Sequence, residues 1–205
     1  MINNKIAIKV NRVSQSRVKE IDWENLSFGR EFSDHMLEMN FENGEWQTPE
    51  IKPFGELKMH PAMSAIHYGQ SIFEGMKASR SGDKEILLFR PDMNAKRFRE
   101  SSKRMCMPTI AIDDFVDMIR KLVEIDSEWV PKANGYSLYI RPFLFATDEF
   151  IGIKPSNNYK FLIFTCPVGV YYSEPVNVKI EEFYTRASLG GVGGAKTAGN
   201  YAASL

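Results

Sequence analysis

Lys196 closes the densest local signal in the chain, Leu189-Gly190-Gly191-Val192-Gly193-Gly194-Ala195-Lys196-Thr197-Ala198-Gly199-Asn200-Tyr201, where five glycines fall within ten residues. Glycine at this density permits positive φ and close approach of backbone to a ligand. A lysine just after such a bend is expected to be partly desolvated, which lowers its pKa and frees a nucleophilic amine. Three chemistries are open to the segment. One is a flexible loop with a solvated lysine. A second is a phosphate loop of a nucleotide-phosphate-binding protein. Gly190 to Thr197 comes within one residue of G-x-x-x-x-G-K-[ST], but Ala195 replaces the final glycine and no Mg-binding acidic strand is visible. The third is a lysine that forms a Schiff base.

Other reactive side chains are sparse. His35, His60 and His67 have no metal-ligand spacing. Cys106 and Cys166, sixty residues apart, suit neither a disulfide framework nor a zinc site. They read as buried packing residues in a reducing compartment. Arg97 lies in the run Lys96-Arg97-Phe98-Arg99, which by itself reads as a solvated helix face. Arg186, ten residues before Lys196, reads by itself as a charge at a strand end.

The elements that must position these groups are a mixture of strands and helices, which argues for an α/β or α+β architecture. Residues 1–20 read as loosely structured. A strand is predicted near Met36 to Phe41, and Asn43-Gly44 is a hairpin turn signal. Pro49, Pro53-Phe54-Gly55 and His60-Pro61 punctuate an irregular connection. Ile86 to Phe89 reads as a strand, followed by a helix with Pro91 in its first position, running to about Met105. Asp113 is the expected N-cap of the next helix, whose core face carries Phe115, Met118, Ile119 and Leu122 at i, i+3, i+4, i+7. Pro131 to Gly135 ends that segment. Tyr136 to Leu144 is predicted to be a strand at an edge or bend because of Pro142, and Tyr159 to Thr165 a fully buried one. Cys166-Pro167-Val168-Gly169 reads as a connection between domains, and Val176 to Tyr184 as a further strand.

Composition narrows the class. The chain has 205 residues with 43% hydrophobic character, enough for a sizeable core. Lys plus Arg equals Asp plus Glu at 26 each, so there is no excess of cations for a nucleic-acid partner. Met1 to Val13 lacks an apolar targeting core, and the longest uncharged stretch, Phe161 to Ser173, is too short to span a bilayer. The expectation is a soluble protein without nucleic-acid or membrane partners. Tyr201 to Leu205 opens a helix that stops without a cap, and thirty residues from position 176 cannot build a core. Further natural sequence is therefore expected after Leu205, and the 205-residue chain alone is expected to lack activity.

Several ordered motifs carry a family resemblance. Gly191 to Tyr201 resembles the cofactor-lysine segment of branched-chain amino-acid aminotransferases, the fold-type IV pyridoxal-phosphate (PLP) enzymes. His67-Tyr68-Gly69-Gln70-Ser71-Ile72-Phe73-Glu74-Gly75-Met76-Lys77 is similar to the family's H-Y-x-x-x-x-F-E-G-x-K. Phe89-Arg90-Pro91-Asp92-Met93-Asn94-Ala95-Lys96-Arg97 resembles F-R-P-x-x-N-x-x-R, and Tyr139-Ile140-Arg141-Pro142 and Pro167-Val168-Gly169 match as well. The likeness runs from about Phe28 to Leu205. It implies a D-amino-acid-aminotransferase-like, two-domain fold: residues 1–168 as a small N-terminal domain, 169–175 as the connection, and 176–205 as the start of the larger cofactor domain.

The resemblance also implies roles. Lys196 would carry PLP as a Schiff base and move protons as general acid and base. Arg97 and Arg186 would bind the cofactor phosphate, and Tyr201 would touch the cofactor near O3′. Tyr68, Phe73, Tyr139, Arg141 and Tyr171 would line the substrate pocket, with Ile151 and Ile153 on a loop that reaches a partner subunit's site. The implied reaction moves the amino group of Leu, Ile or Val to 2-oxoglutarate in a cytoplasmic homodimer. The same fold leaves a D-amino-acid aminotransferase or an aminodeoxychorismate lyase as alternatives. The carboxylate that pairs with the pyridine nitrogen would lie well beyond Lys196.

Overall fold

The computed structural model describes residues 6–82, 85–172, 174–202 and 204. Along the chain these form β1 (Lys9–Val10), β2 (His35–Glu42), β3 (Glu45–Trp46), β4 (Glu50–Pro53), α1 (Ser64–Tyr68), β5 (Ser71–Phe73), β6 (Met76–Ser81), β7 (Glu85–Leu88), α2 (Pro91–Arg104), α3 (Ile112–Ile125), β8 (Ser137–Ala146), β9 (Tyr159–Val168) and α4 (Gly199–Ala202). Among the described residues the strands make a single sheet in the order β1-β4-β2-β9-β8-β6-β7, with β3 paired to β2 and β5 to β8. All neighbours are antiparallel except β1 and β4. The hairpin at Asn43-Gly44 forms as expected. Both residues take positive φ, 56° and 83°, as a two-residue turn between twisted strands requires.

The core lies between the sheet and α2 and α3. Phe98 of α2, Phe115 of α3 and Phe161 of β9 meet with ring centroids 5.1 to 5.8 Å apart. The predicted face of α3 is the buried one: Phe115, Met118, Ile119 and Leu122 are all sealed from water. Each such side chain contributes about 1.5–3 kcal/mol of burial. Pro91 is the first residue of α2. The N-cap of α3 is Ala111 rather than Asp113, and no side chain caps it. Asp113 and Asp114 sit instead in the first turn, where carboxylates meet the positive end of the helix.

Several other expectations are corrected. The N-terminal stretch contributes β1, and the connection rich in proline contains β4. Cys166 to Val168 continue β9, pairing with Tyr139 to Ser137; the pairing of β9 with β2 ends at Phe164, which leaves an open edge that tolerates Pro167. Val176 to Tyr184 forms no strand among the described residues. Its alternating side chains Val178, Ile180 and Tyr184 are exposed, and without a partner strand the pattern has nothing to pair with. Cys106 is exposed, whereas Cys166 is buried, and that burial pushes its thiol pKa up. The expected helix over 201–205 begins at Gly199; Ala203 and Leu205 lie outside the described residues.

Pro142 sits inside the sheet, not at an edge. On one side it pairs with Ile163 of β9. On the other side β5 and β6 run along β8 in one unbroken register, Phe73 opposite Phe143 and Met76 opposite Ile140. Between them Glu74 donates its N–H to the Pro142 carbonyl at 2.8 Å, but Pro142 has no N–H to return. The missing donor opens the ladder at Glu74-Gly75 and splits one long strand in two.

Candidate active site

The opening at Glu74-Gly75 is where the candidate residues gather. The strand delivers Phe73, Glu74 and Gly75; α2 delivers Asn94, Arg97, Ser101 and Arg104; and the segment 195–201 lies against both. On α2 those four residues fall at i, i+3, i+7 and i+10, one face of the helix. Ser101 Oγ accepts the Lys196 N–H at 2.9 Å, and Arg104 donates to the Gly191 carbonyl at 2.9 Å. Arg97, one turn before Ser101, therefore faces the lysine segment.

Lys196 is held by the backbone on both sides. Ala195 and Thr197 are buried, so the lysine between them points the other way. Thr197 Oγ1 donates to the Ser71 carbonyl at 2.7 Å, and the Phe73 N–H donates to the Lys196 carbonyl at 3.1 Å. This pins the segment beside β5. The Asn200 amide donates to the carbonyls of Val192 (2.9 Å) and Ala195 (2.8 Å) and closes the glycine-rich turn. Gly190 has φ 75°, and a Cβ at Gly193 would stand 2.9 Å from the Ala187 methyl. These two glycines are required by conformation and by crowding. Among the described residues no strand runs directly into this turn, the last one, β9, ending at Val168, and α4 after it has four residues. That is not the strand–loop–helix frame of a phosphate loop.

The Lys196 amine is the centre of an aromatic and cationic cluster. Nζ lies 2.7 Å from the Tyr201 hydroxyl and 4.5 Å from the centroid of Phe73. Phe73 and Tyr201 pack at 4.8 Å, and Arg186 stands 5.6 Å over the Tyr201 ring. The Arg141 guanidinium also lies 4.5 Å from the Phe73 ring, and its Nη2 donates to the Tyr139 hydroxyl at 2.9 Å. Phe28 then bridges Tyr139 (5.1 Å) and Tyr171 (5.4 Å) edge-on. Phe28, Lys77, Tyr139 and Tyr171 line a cleft of ≈ 620 Å³, a size suited to a small molecule. A second cleft of ≈ 390 Å³, beside Trp23 and Tyr136, shares none of the residues around Lys196.

Glu74 is the strongest ionic partner here. Its buried carboxylate accepts from Arg97 Nε (2.6 Å) and Nη2 (2.8 Å), from Asn94 Nδ2 (2.8 Å) and from the Gly75 N–H (3.2 Å). The hydrogen bonds that Arg97 donates to Glu74 raise the Arg97 pKa, against the opposing effect of burial. Next to it, a Cβ on Gly75 would overlap the Tyr139 hydroxyl, so only glycine lets that phenol approach the strand.

Lys196, Arg186, Tyr201, Phe73, Arg141, Tyr139 and Tyr171 are thus brought into one chain of contacts, with Arg97 on the facing side of α2. Tyr68, Ile151 and Ile153 are not. Tyr68 lies on α1 with 44% exposure, while Ile151 and Ile153 are 65% and 95% exposed. Among the described residues none of the three is hydrogen-bonded or stacked with the Lys196 cluster. Phe28, Glu74, Asn94 and Ser101 complete the arrangement and were missed in the sequence. Glu74 and Asn94 stand inside the quoted motifs, and their spacing to Arg97 was the available signal. Among the described residues no group of three His, Cys, Asp or Glu side chains is placed to hold a metal ion, and no helix is long and apolar enough to cross a membrane.

No protein-family model matches the chain. It is 46% identical over 205 residues to branched-chain-amino-acid aminotransferase 2 of Bacillus subtilis, covering 98% of the chain and 56% of that protein. It is 48% identical over 189 residues to branched-chain-amino-acid transaminase 1 of the same organism, covering 90% of the chain and 53% of that protein. Among solved structures, the branched-chain amino acid aminotransferase of Escherichia coli superposes with a TM-score of 0.61 at 28% identity, covering 82% of the chain and 53% of that structure. The chain spans about half the length of the curated relatives it matches. In sequence along nearly all of its length, and in its fold-type IV architecture, the chain is similar to branched-chain-amino-acid aminotransferases.

Proposed function

We propose that the protein transfers amino groups between Leu, Ile or Val and 2-oxoglutarate, with PLP carried on Lys196. The observation that carries this reading is the Lys196 amine held 2.7 Å from a phenol and beside the Phe73 ring, with arginines at the margins. The donor set fits the cofactor: a primary amine for its aldehyde, a phenol for its ring hydroxyl, and guanidinium groups of Arg97 and Arg186 for its phosphate. PLP when bound supplies an aldehyde for amine exchange and an electron sink for charge developing at substrate Cα.

The chain's own residues do the rest. Lys196 Nζ takes and returns the proton at substrate Cα, and the Tyr201 hydroxyl holds that amine in place. Arg141, steadied by Tyr139, meets a substrate carboxylate. Phe73, Phe28, Tyr139 and Tyr171 form apolar walls that favour aliphatic side chains and exclude water. Tyr68, Ile151 and Ile153, left outward in one chain, suit a homodimer in which they meet a second copy's site. Residues 1–168 serve as the small domain, 169–175 as the connection and 176–205 as the start of the cofactor domain, in a cytoplasmic enzyme.

Borohydride reduction of the yellow protein followed by peptide mapping tests the assignment. The label is expected on Lys196, and Lys196→Ala should carry none and lose roughly a hundredfold or more of the rate. A label on another lysine, or an undiminished rate in Lys196→Ala, refutes it. A panel of amino donors separates branched-chain from D-amino-acid substrates.

A further inference from the structure

We infer that Glu74 is the positioning residue for Arg97: it takes up two of the guanidinium nitrogens and turns the third, Nη1, outward toward an incoming phosphate. The inference rests on the reading of Arg97 as a phosphate ligand and deepens it.

Four observations converge on Glu74. Its side chain is 0% exposed while that of Arg97 is 56% exposed, so the pair is sealed at the carboxylate end and open at the guanidinium end. The carboxylate accepts four donors, two from Arg97, one from Asn94 and one from its neighbour's backbone, and has no freedom to swing. The two Arg97 bonds use Nε and Nη2, the side-on fork; among the described residues no hydrogen bond engages Nη1. A planar guanidinium fixed at two corners has its third corner fixed as well. Finally, Arg97 shares its helix face with Ser101 and Arg104, both bonded to the Lys196 segment, so the outward corner is on the cofactor side.

A purely structural role explains this poorly. A buried ion pair seldom outperforms apolar residues of equal volume in stability. Here the carboxylate stands at the one place where Pro142 has opened the ladder, and its partner remains half in solvent. The arrangement holds a cation in a set direction, the property a phosphate ligand needs.

The test compares PLP with pyridoxal, which lacks the phosphate, by absorbance titration of the protein as it occurs, with any sequence adjoining these residues. Glu74→Gln keeps the shape and removes the charge and one acceptor. It is expected to weaken PLP binding roughly ten- to a hundredfold, the usual range for losing an orienting partner, and to leave pyridoxal binding unchanged. Glu74→Asp should restore part of the loss. Asn94→Ala keeps the ion pair and gives a smaller loss of the same kind, so the question stays answerable if Glu74→Gln does not fold. In an Arg97→Ala background Glu74→Gln should add nothing further. Equal weakening of PLP and pyridoxal, or no weakening of either, overturns the inference. If Arg97→Ala leaves the preference for PLP over pyridoxal intact, the phosphate reading of Arg97 falls and takes this one with it. If Arg97→Ala abolishes that preference and Glu74→Gln does not, only the role of Glu74 falls.

Discussion

Two groups of buried carboxylates stabilise this protein in different ways. On the β2 side, Asp126 accepts from His35 Nδ1 at 2.6 Å and from the His35 N–H at 3.1 Å, while the His35 Nε2 accepts the Val13 N–H at 3.0 Å. Nδ1 therefore carries the proton. Beside it Asp34 accepts from Trp129 Nε1 at 2.8 Å and from the Arg17 N–H at 3.1 Å. His35, Asp126, Asp34 and Trp129 are all buried. On the β5 side, Glu74 is equally buried, but its partner Arg97 reaches solvent. Asp126, whose partners are internal, ties segments together, whereas Asp34 is also reached by the half-exposed Arg17. Glu74, whose donor remains open to water, holds that donor ready for something else. Burial alone does not distinguish Glu74 from Asp126; the exposure of the partner does.

Removing a carboxylate from the sealed group should have the largest effect on stability. Asp126→Ala strands two buried His35 donors and is expected to cost about 3 kcal/mol or more, read from denaturant unfolding. It should leave the preference for PLP over pyridoxal untouched; a changed preference would erase the contrast with Glu74. Next is Gly75→Ala, which drives a methyl into the Tyr139 hydroxyl and should cost about 1–3 kcal/mol of packing. Because Arg141 leans on that hydroxyl, substrate KM should rise in this variant more than kcat falls. An unaltered KM would detach Tyr139 and Arg141 from the substrate.

The smallest effects are in pH dependence, and they have opposite signs within the sealed group. Burial pushes Asp34 up, but hydrogen bonds from Ser16, Trp129 and Arg17 outweigh it, and its pKa is lowered. Its contribution to stability is complete above the ordinary aspartate value and is lost as pH falls through the depressed one. Burial raises Asp126 despite the hydrogen bond from His35. Its stabilisation is complete below the ordinary aspartate value and declines as pH rises through the elevated one. Asp34→Asn should therefore flatten the acid limb of Tm against pH, and Asp126→Asn the fall on the other side. Identical curves for the two variants would show that the two carboxylates act as one.

Much of this was legible in the sequence wherever a local rule was decisive. Pro91 opening α2, the Phe115 to Leu122 stripe of α3 and the Asn43-Gly44 turn depend on neighbours within a few residues, and each formed where the pattern put it. The rules failed where a distant partner decided. Pro142 reads as a mark of an edge or a bend, yet it lies inside the sheet, which absorbs it by opening the ladder at Glu74. Val176 to Tyr184 has the alternation of a strand, yet no described strand lies beside it. Ala111 rather than Asp113 stands at the start of α3, and no side chain caps that end.

The sequence by itself singled out the residues proposed for the site: a lysine after a glycine-rich turn, with arginines and aromatic residues at spacings that resemble those of branched-chain-amino-acid aminotransferases. Only the tertiary structure decided which of them meet. Phe28, Phe73, Arg97, Tyr139 and Lys196 are separated by long stretches of chain, and nothing local reports a distance across a sheet. The role of Glu74 illustrates this. As a letter in a motif it is one acid among many; in the fold it becomes the buried anchor of Arg97, at the gap that Pro142 opens in the sheet.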